Sequence, residues 1–223
     1  MNRQNEHLET LTEIRSLMER SSKFLSLSGL SGIAAGLIAL IGAIVAYIYF
    51  DMDFFQLNGN EVRELEGNSG RAYRNVYTKW GLQPIPFLLL DGFIVLVLAL
   101  GSGFYFSFRK AKKRGHTFWD NTAKRLLINL SIPLIAGGLF ALILLFKFDV
   151  VELIPPVTLI FYGLALINGS KYTLDELRTL GLCEIALGLI GTWFVSYALL
   201  FWAIGFGVLH IVYGTLMYIK YDR

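Results

Sequence analysis

The residues with the most chemistry in them are a carboxylate and an imidazole set in apolar surroundings. Glu184 sits in GLCEIALGLIG (Gly181–Gly191) and His210 in GFGVLHIVYG, both within the long apolar block Leu180–Ile219. An ionisable side chain at the centre of a bilayer costs at least about 2.5–3.5 kcal/mol on insertion scales, so each of these needs a partner or a task. A carboxylate held against an imidazole can do three things. It can clamp two helices together, pass a proton near neutral pH, or line a site for an ion or polar ligand.

Depth along the chain decides whether the two can meet. A span that begins near Thr179 carries Glu184 roughly 7–8 Å inward at 1.5 Å per residue, and a span that ends near Ile219 carries His210 roughly 13 Å inward from the same side. Adjacent antiparallel helices with a tight turn between them bring such residues within side-chain reach, so a Glu184–His210 hydrogen bond or ion pair is expected. Asn129, Ser131 and Tyr213 fall in the same half of the membrane, together with Ser28, Ser31, Ser102, Ser107 and Asn168. Glu184, His210, Asn129, Ser131 and Tyr213 are therefore grouped as a candidate polar pocket. The plainer alternative stays open: serines near helix ends bond back to their own carbonyls, and a Glu–His pair often only clamps two helices. A second clamp is expected between Asp91, in LLLDGF, and Lys147 at the outer end of the third span, although Lys147 can also reach the interface by itself.

Much chemistry is missing. The chain has no P-loop lysine motif, no HExxH, no CxxC and no GxSxG. Its histidines are His7, His116 and His210, and only the last falls in a span, which excludes bis-histidine haem ligation in the bundle. Cys183 and Glu184 are adjacent and point about 100° apart on a helix, so they do not make a metal site with His210. No catalytic residue, metal or cofactor is expected.

The elements that must position these residues follow from composition. Of 223 residues 55% are hydrophobic, and the 17% that are charged fall below the roughly 25% of soluble proteins. The charges are clumped between long apolar runs, the signature of a membrane protein. Six spans of about 20 apolar residues are expected: about 24–50, 87–108, 126–146, 151–167, 179–196 and 199–219, the last two joined by a tight turn near Ser196-Tyr197. With the N-terminus in the cytosol, fifteen of the twenty Lys and Arg residues fall inside, including the RKAKKR cluster of Arg109–Arg114. That asymmetry places both termini in the cytosol. The polar, charged start of the chain is unlike a signal peptide, so the first apolar run is expected to remain as a helix.

Two soluble elements complete the expectation. Residues 6–23 set Leu8, Leu11, Ile14, Leu17 and Met18 at helical spacing, an amphipathic helix suited to docking on the protein's own loops or on a cytosolic partner, or to lying in the interface. An extracytoplasmic loop spans 51–84, as an ordered cap or a solvated connector. Ser28, Gly32 and Gly36 recur every fourth residue in the first span. That face lets another helix approach closely, within the bundle or as a homodimer seam. The basic loop after the second span reads as a topology signal, and no nucleic-acid partner is expected.

The runs LINGSKYTLDELRTLGLCEIALGLIG and FWAIGFGVLHIVYGTLMYIKYDR, with ERSSKFLSLSGLSGIAAG near the start, resemble a group of bacterial inner-membrane proteins of uncharacterised activity. The resemblance implies six membrane helices and supplies no activity or site residue. The sequence therefore points to an all-α polytopic membrane protein of the bacterial inner membrane. Its expected role is a non-enzymatic sensor, regulatory or scaffold subunit with a cytosolic docking face. The alternatives are a small transporter or channel using the Glu184/His210 pocket, or an intramembrane enzyme acting on a lipid-like substrate.

Overall fold

The computed structural model describes residues 27–50, 80–113 and 119–222. The amphipathic helix expected over 6–23 and most of the loop expected over 51–84 lie outside them. All regular elements among the described residues are helical. In chain order they are α1 (Gly29–Phe50), α2 (Pro84–Lys113), α3 (Asn121–Lys147), α4 (Ile154–Gly169), α5 (Glu176–Trp193) and a last rod, α6 (198–222). That last rod is α-helical over Ala198–Trp202 and His210–Met217, and π-helical over Ala203–Leu209 and Tyr218–Asp222.

Local signals explain the ends. Pro84 opens α2, where the missing N–H of proline costs nothing, and Pro155 and Pro156 do the same in the first turn of α4. The Asp120 side chain caps α3 by accepting from the Ala123 N–H at 2.6 Å. Pro133 is accommodated within α3 without ending it. The turn expected near Ser196-Tyr197 is a single 3₁₀ turn, Val195–Tyr197. Helix α2 begins before the expected Phe87 and continues through Lys113, carrying the start of the basic cluster as its last turn.

Among the described residues, five stretches are long and apolar enough to cross a bilayer: α1, α2, α3, α4 with its flanking 3₁₀ turns (Val151–Tyr172), and the last rod with the turn before it (Val195–Asp222). They are the mark of a multi-pass membrane protein. Helix α5 is set apart because its 18 residues include Glu176, Arg178 and Glu184. Its packing against α4 is the closest between any two of these helices.

The packing order places the site. Helix α1 lies between α2 and α6; α4 lies between α3 and α5; α6 joins the two groups through α5 and α4. Helices α2 and α3 form the edges, and only 6% of the apolar core of α2 is buried, against 33% for α1 and α4. The small-residue face of α1 is used within the chain. A Cβ on Gly36 would lie 2.7 Å from the Gly207 carbonyl oxygen, and one on Gly32 would lie 3.0 Å from the Gly214 Cα. Gly32 and Gly36 thus pack on α6, and Ser28 bonds to Asp222. Of the two uses expected of the Ser28, Gly32 and Gly36 face, packing within the bundle is the one this contact with α6 provides.

Candidate functional site

The α4–α5 contact sets the geometry of the buried carboxylate. Gly163 and Gly181 face each other so closely that a Cβ on either would stand 2.5–2.7 Å from the other's carbonyl oxygen. Such a seam draws two backbones together by removing side chains between them. With α4 and α5 fixed, Glu184 points inward, and its side chain has 0% exposure. Its carboxylate lies against Gly205 of the π-helical stretch: a Cβ there would collide with Glu184 Oε2 and would come within 2.5 Å of Leu159. Gly205 is the space the carboxylate fills.

His210 stands at the end of the same π-helical stretch and is 6% exposed. Its Nδ1 is 3.4 Å from Glu184 Oε1, so the structure brings the expected pair into contact. The contact is electrostatic and is not a hydrogen bond. Nδ1 instead donates to the Gly205 carbonyl at 3.0 Å, and both Glu184 oxygens lack a hydrogen-bond partner. At the other ring nitrogen, the Tyr162 hydroxyl of α4 lies 2.7 Å from Nε2. Phe206 stacks on the imidazole at 5.9 Å between ring centroids, and Tyr162 lies 4.9 Å from Phe206. Three helices therefore converge on one polar cluster inside an aromatic wall. Tyr162 and Gly205 were missing from the expected set. The available signals were a tyrosine in the middle of an apolar helix (IFYGLAL) and the closely spaced glycines of GFG.

The other expected pocket residues point elsewhere. Asn129 accepts from Asn168 through its carbonyl oxygen at 2.8 Å and itself donates to the Arg125 carbonyl, which ties α3 to α4. Tyr213 lies 4.0 Å from Cys183 Sγ and packs on the apolar cluster of Leu166, Leu180 and Met217. Ser131 is half-buried on α3. None of the three makes a polar contact with Glu184 or His210. Depth in the membrane is shared, but direction around each helix is not. The Asp91–Lys147 clamp is corrected as well. Asp91 sits beside the Gly42 face of α1, Lys147 lies over the Phe148 ring at 5.6 Å, and no ion pair joins them. Their helices occupy opposite edges of the bundle.

A second polar cluster closes one end. Asp222 Oδ2 accepts from the Ser28 hydroxyl and the Gly29 N–H, each at 2.9 Å, and so caps the start of α1. Its Oδ1 pairs with Lys110 at 2.5 Å, and Lys110 also donates to the Leu27 carbonyl at 2.6 Å. Side-chain exposures of 9% and 8% place this pair among the buried ones. Nearby on the same rod, Lys220 and Tyr221 donate to Glu176 Oε1 at 2.6 and 2.8 Å, tying α6 to the start of α5. Burial pushes the Glu176 carboxyl up. The hydrogen bonds from Lys220 and Tyr221 and the Lys220 charge outweigh it and hold the group below the usual carboxylate range.

Among the described residues no group of three or more His, Cys, Asp or Glu side chains is placed to hold a metal. No family model, no curated protein and no solved structure matches the chain.

Proposed function

We propose that the chain is a non-enzymatic regulatory or scaffold subunit of the bacterial inner membrane that presents a docking face at its cytosolic end. One observation carries this reading. The Asp222–Lys110 lock fixes the start of α1, the end of α2 and the end of α6 at one point. Residues 1–26 precede the start of α1 and residues 114–118 follow the end of α2, so both segments join the bundle beside that fixed point, next to the basic last turn of α2. A buried ion pair contributes more to fixing geometry than to stability, which suits a platform. The carrier and enzyme readings draw less support, because Glu184 is fully enclosed by packed side chains.

The experiment is site-specific photo-cross-linking in cells with the full chain. A cross-linker at Leu11 and another at Lys112 are expected to capture the same protein, and Asp222→Ala to lower both yields several-fold. Leu100, on the exposed side of α2, serves as the control position. Equal capture from Leu100, or no capture from either cytosolic position, sinks the reading.

A further inference from the structure

The two ring nitrogens of His210 have unlike neighbours, and the difference fixes where protons sit. Nδ1 faces the Gly205 carbonyl at 3.0 Å, an oxygen that can only accept, so Nδ1 carries the hydrogen of the neutral ring. Nε2 is then the bare nitrogen, and Tyr162 donates its hydroxyl hydrogen to it at 2.7 Å. Glu184 Oε1 is 3.4 Å from Nδ1, and neither carboxylate oxygen has a donor. A carboxylate with no exposed surface and no donor is costly unless a cation stands beside it. Protonating Glu184 itself would remove the charge but would leave a buried O–H with no acceptor.

The groups that can supply the cation are few. Facing the carboxylate are Tyr162 from α4 and His210 from α6. Cys183, next to Glu184 on α5, turns to Tyr213. Helix α1 contributes Leu40, packed on Gly207. Lys110 and Asp222 are engaged with each other at the bundle end. Among the described residues, His210 is the one group beside the carboxylate that can become the counter-charge. Its ring also lies under Phe206, tilted by 20°, whose face favours an imidazolium.

We propose that His210 Nε2 is a proton-binding site inside the bundle, with Glu184 as its fixed counter-charge and Tyr162 as its hydrogen-bonding partner. The ligand is a proton from the aqueous phase. It binds the Nε2 lone pair, and Tyr162 rotates its hydroxyl from donating to accepting the new N–H. No covalent bond breaks, and the net charge of the three side chains goes from −1 to zero. Nδ1 keeps its hydrogen on Gly205 throughout. The site adjoins the π-helical Ala203–Leu209, and π-turns in otherwise α-helical rods recur at functional positions.

The test is nitrogen NMR of the full chain, labelled at histidine and held in lipid nanodiscs. Three histidine signals arise, and His210→Gln identifies the relevant one. Across about pH 4 to 9, Nε2 of His210 is expected to change from protonated to bare in one step while Nδ1 stays protonated. Glu184→Gln is expected to weaken proton binding at least about tenfold, the usual effect of losing an opposite charge at this range. Tyr162→Phe keeps the step and loses the hydrogen-bond signature at Nε2. An Nε2 that never changes state, or an unaltered step in Glu184→Gln, overturns the proposal. Infrared spectra of the unmutated protein keep the test independent of variant folding. A carboxylate band that persists through the step supports the site, whereas a carboxylic-acid band that appears with it puts the proton on Glu184 and overturns it.

Discussion

The inner seam of α4, α5 and α6 and the edge helices α2 and α3 all carry glycines, yet most of these have opposite surroundings; Gly137 of α3, packed on Phe161 of α4, belongs with the seam. Gly163, Gly181 and Gly188 stand where an added Cβ would meet the neighbouring helix's backbone at 2.5–2.8 Å. Gly92, Gly101 and Gly103 on α2 and Gly138 on α3 have nothing within 4 Å. The same contrast holds for the two carboxylates in the spans. Glu184 is sealed against a histidine, while Asp91 is half-buried on an edge helix without an ion-pair partner. A small residue in a membrane helix therefore has structural meaning where another helix comes to meet it, through backbone at Gly163 or through side chains at Gly205. A charge acquires a defined partner where a neighbouring helix brings one to it, as α6 does for Glu184 and for Glu176.

The largest break in that comparison is predicted at the α4–α5 seam. Gly163→Ala or Gly181→Ala forces backbone apart from backbone, which cannot relax as a side chain can, and should cost about 1–3 kcal/mol each. Gly101→Ala and Gly138→Ala, in open space, should be neutral or slightly stabilising through helix propensity. Chemical unfolding in mild detergent, followed by circular dichroism, measures both sets. Equal effects in the two regions would remove the distinction between seam and edge.

A finer test separates the two carboxylates. In Gly205→Ala the new methyl lands on Glu184 Oε2 and Leu159, so the carboxylate must move. A loss of about 1–2 kcal/mol is expected, and less when Glu184 is already alanine, a coupling of at least about 0.5 kcal/mol. Gly92→Ala next to Asp91 meets nothing within 4 Å and should show no coupling to Asp91→Ala. Additive behaviour at Gly205 and Glu184 would mean that the glycine is not shaping the carboxylate's place.

These outcomes also show what the sequence could carry. The helical class and the turn between α5 and α6 were legible, because a forty-residue apolar block is too long for one span. The approach of Glu184 to His210 was legible from depth alone, since consecutive antiparallel helices share an end. Direction around the helix was not, and for that reason Asn129, Ser131 and Tyr213 were grouped with a pair they do not touch. Tyr162 arrives from a helix that is not consecutive with α6, so no local spacing could place it at Nε2. The Asp222 lock was hidden for a related reason: an aspartate near the end of a helical rod reads as solvated until α1 is known to start beside it. The seam and the edges, likewise, carry the same letters.

The smallest predicted effect concerns how α5, the helix that carries Glu184, is tied at its start. Glu176 accepts from Lys220 and Tyr221, and its carboxyl is held below its ordinary value. The folded-state value is depressed, so the stability this group contributes is present above the unfolded carboxylate pKa, near about 4.3, and is lost as pH falls through the lowered folded value. Lys220 is 62% exposed at its side chain, and solvent and salt screen the pair. Glu176→Gln should therefore lower the unfolding temperature by no more than about 2 °C at neutral pH, with the difference from the unmutated chain shrinking below about pH 4. The buried Lys110–Asp222 pair gives the contrast, with side-chain exposures of 9% and 8%. Asp222→Asn should cost more than Glu176→Gln, and its cost should change little between low and high salt. If the exposed tie proved the stronger of the two, α6 would be anchored through α5 rather than through the capped start of α1.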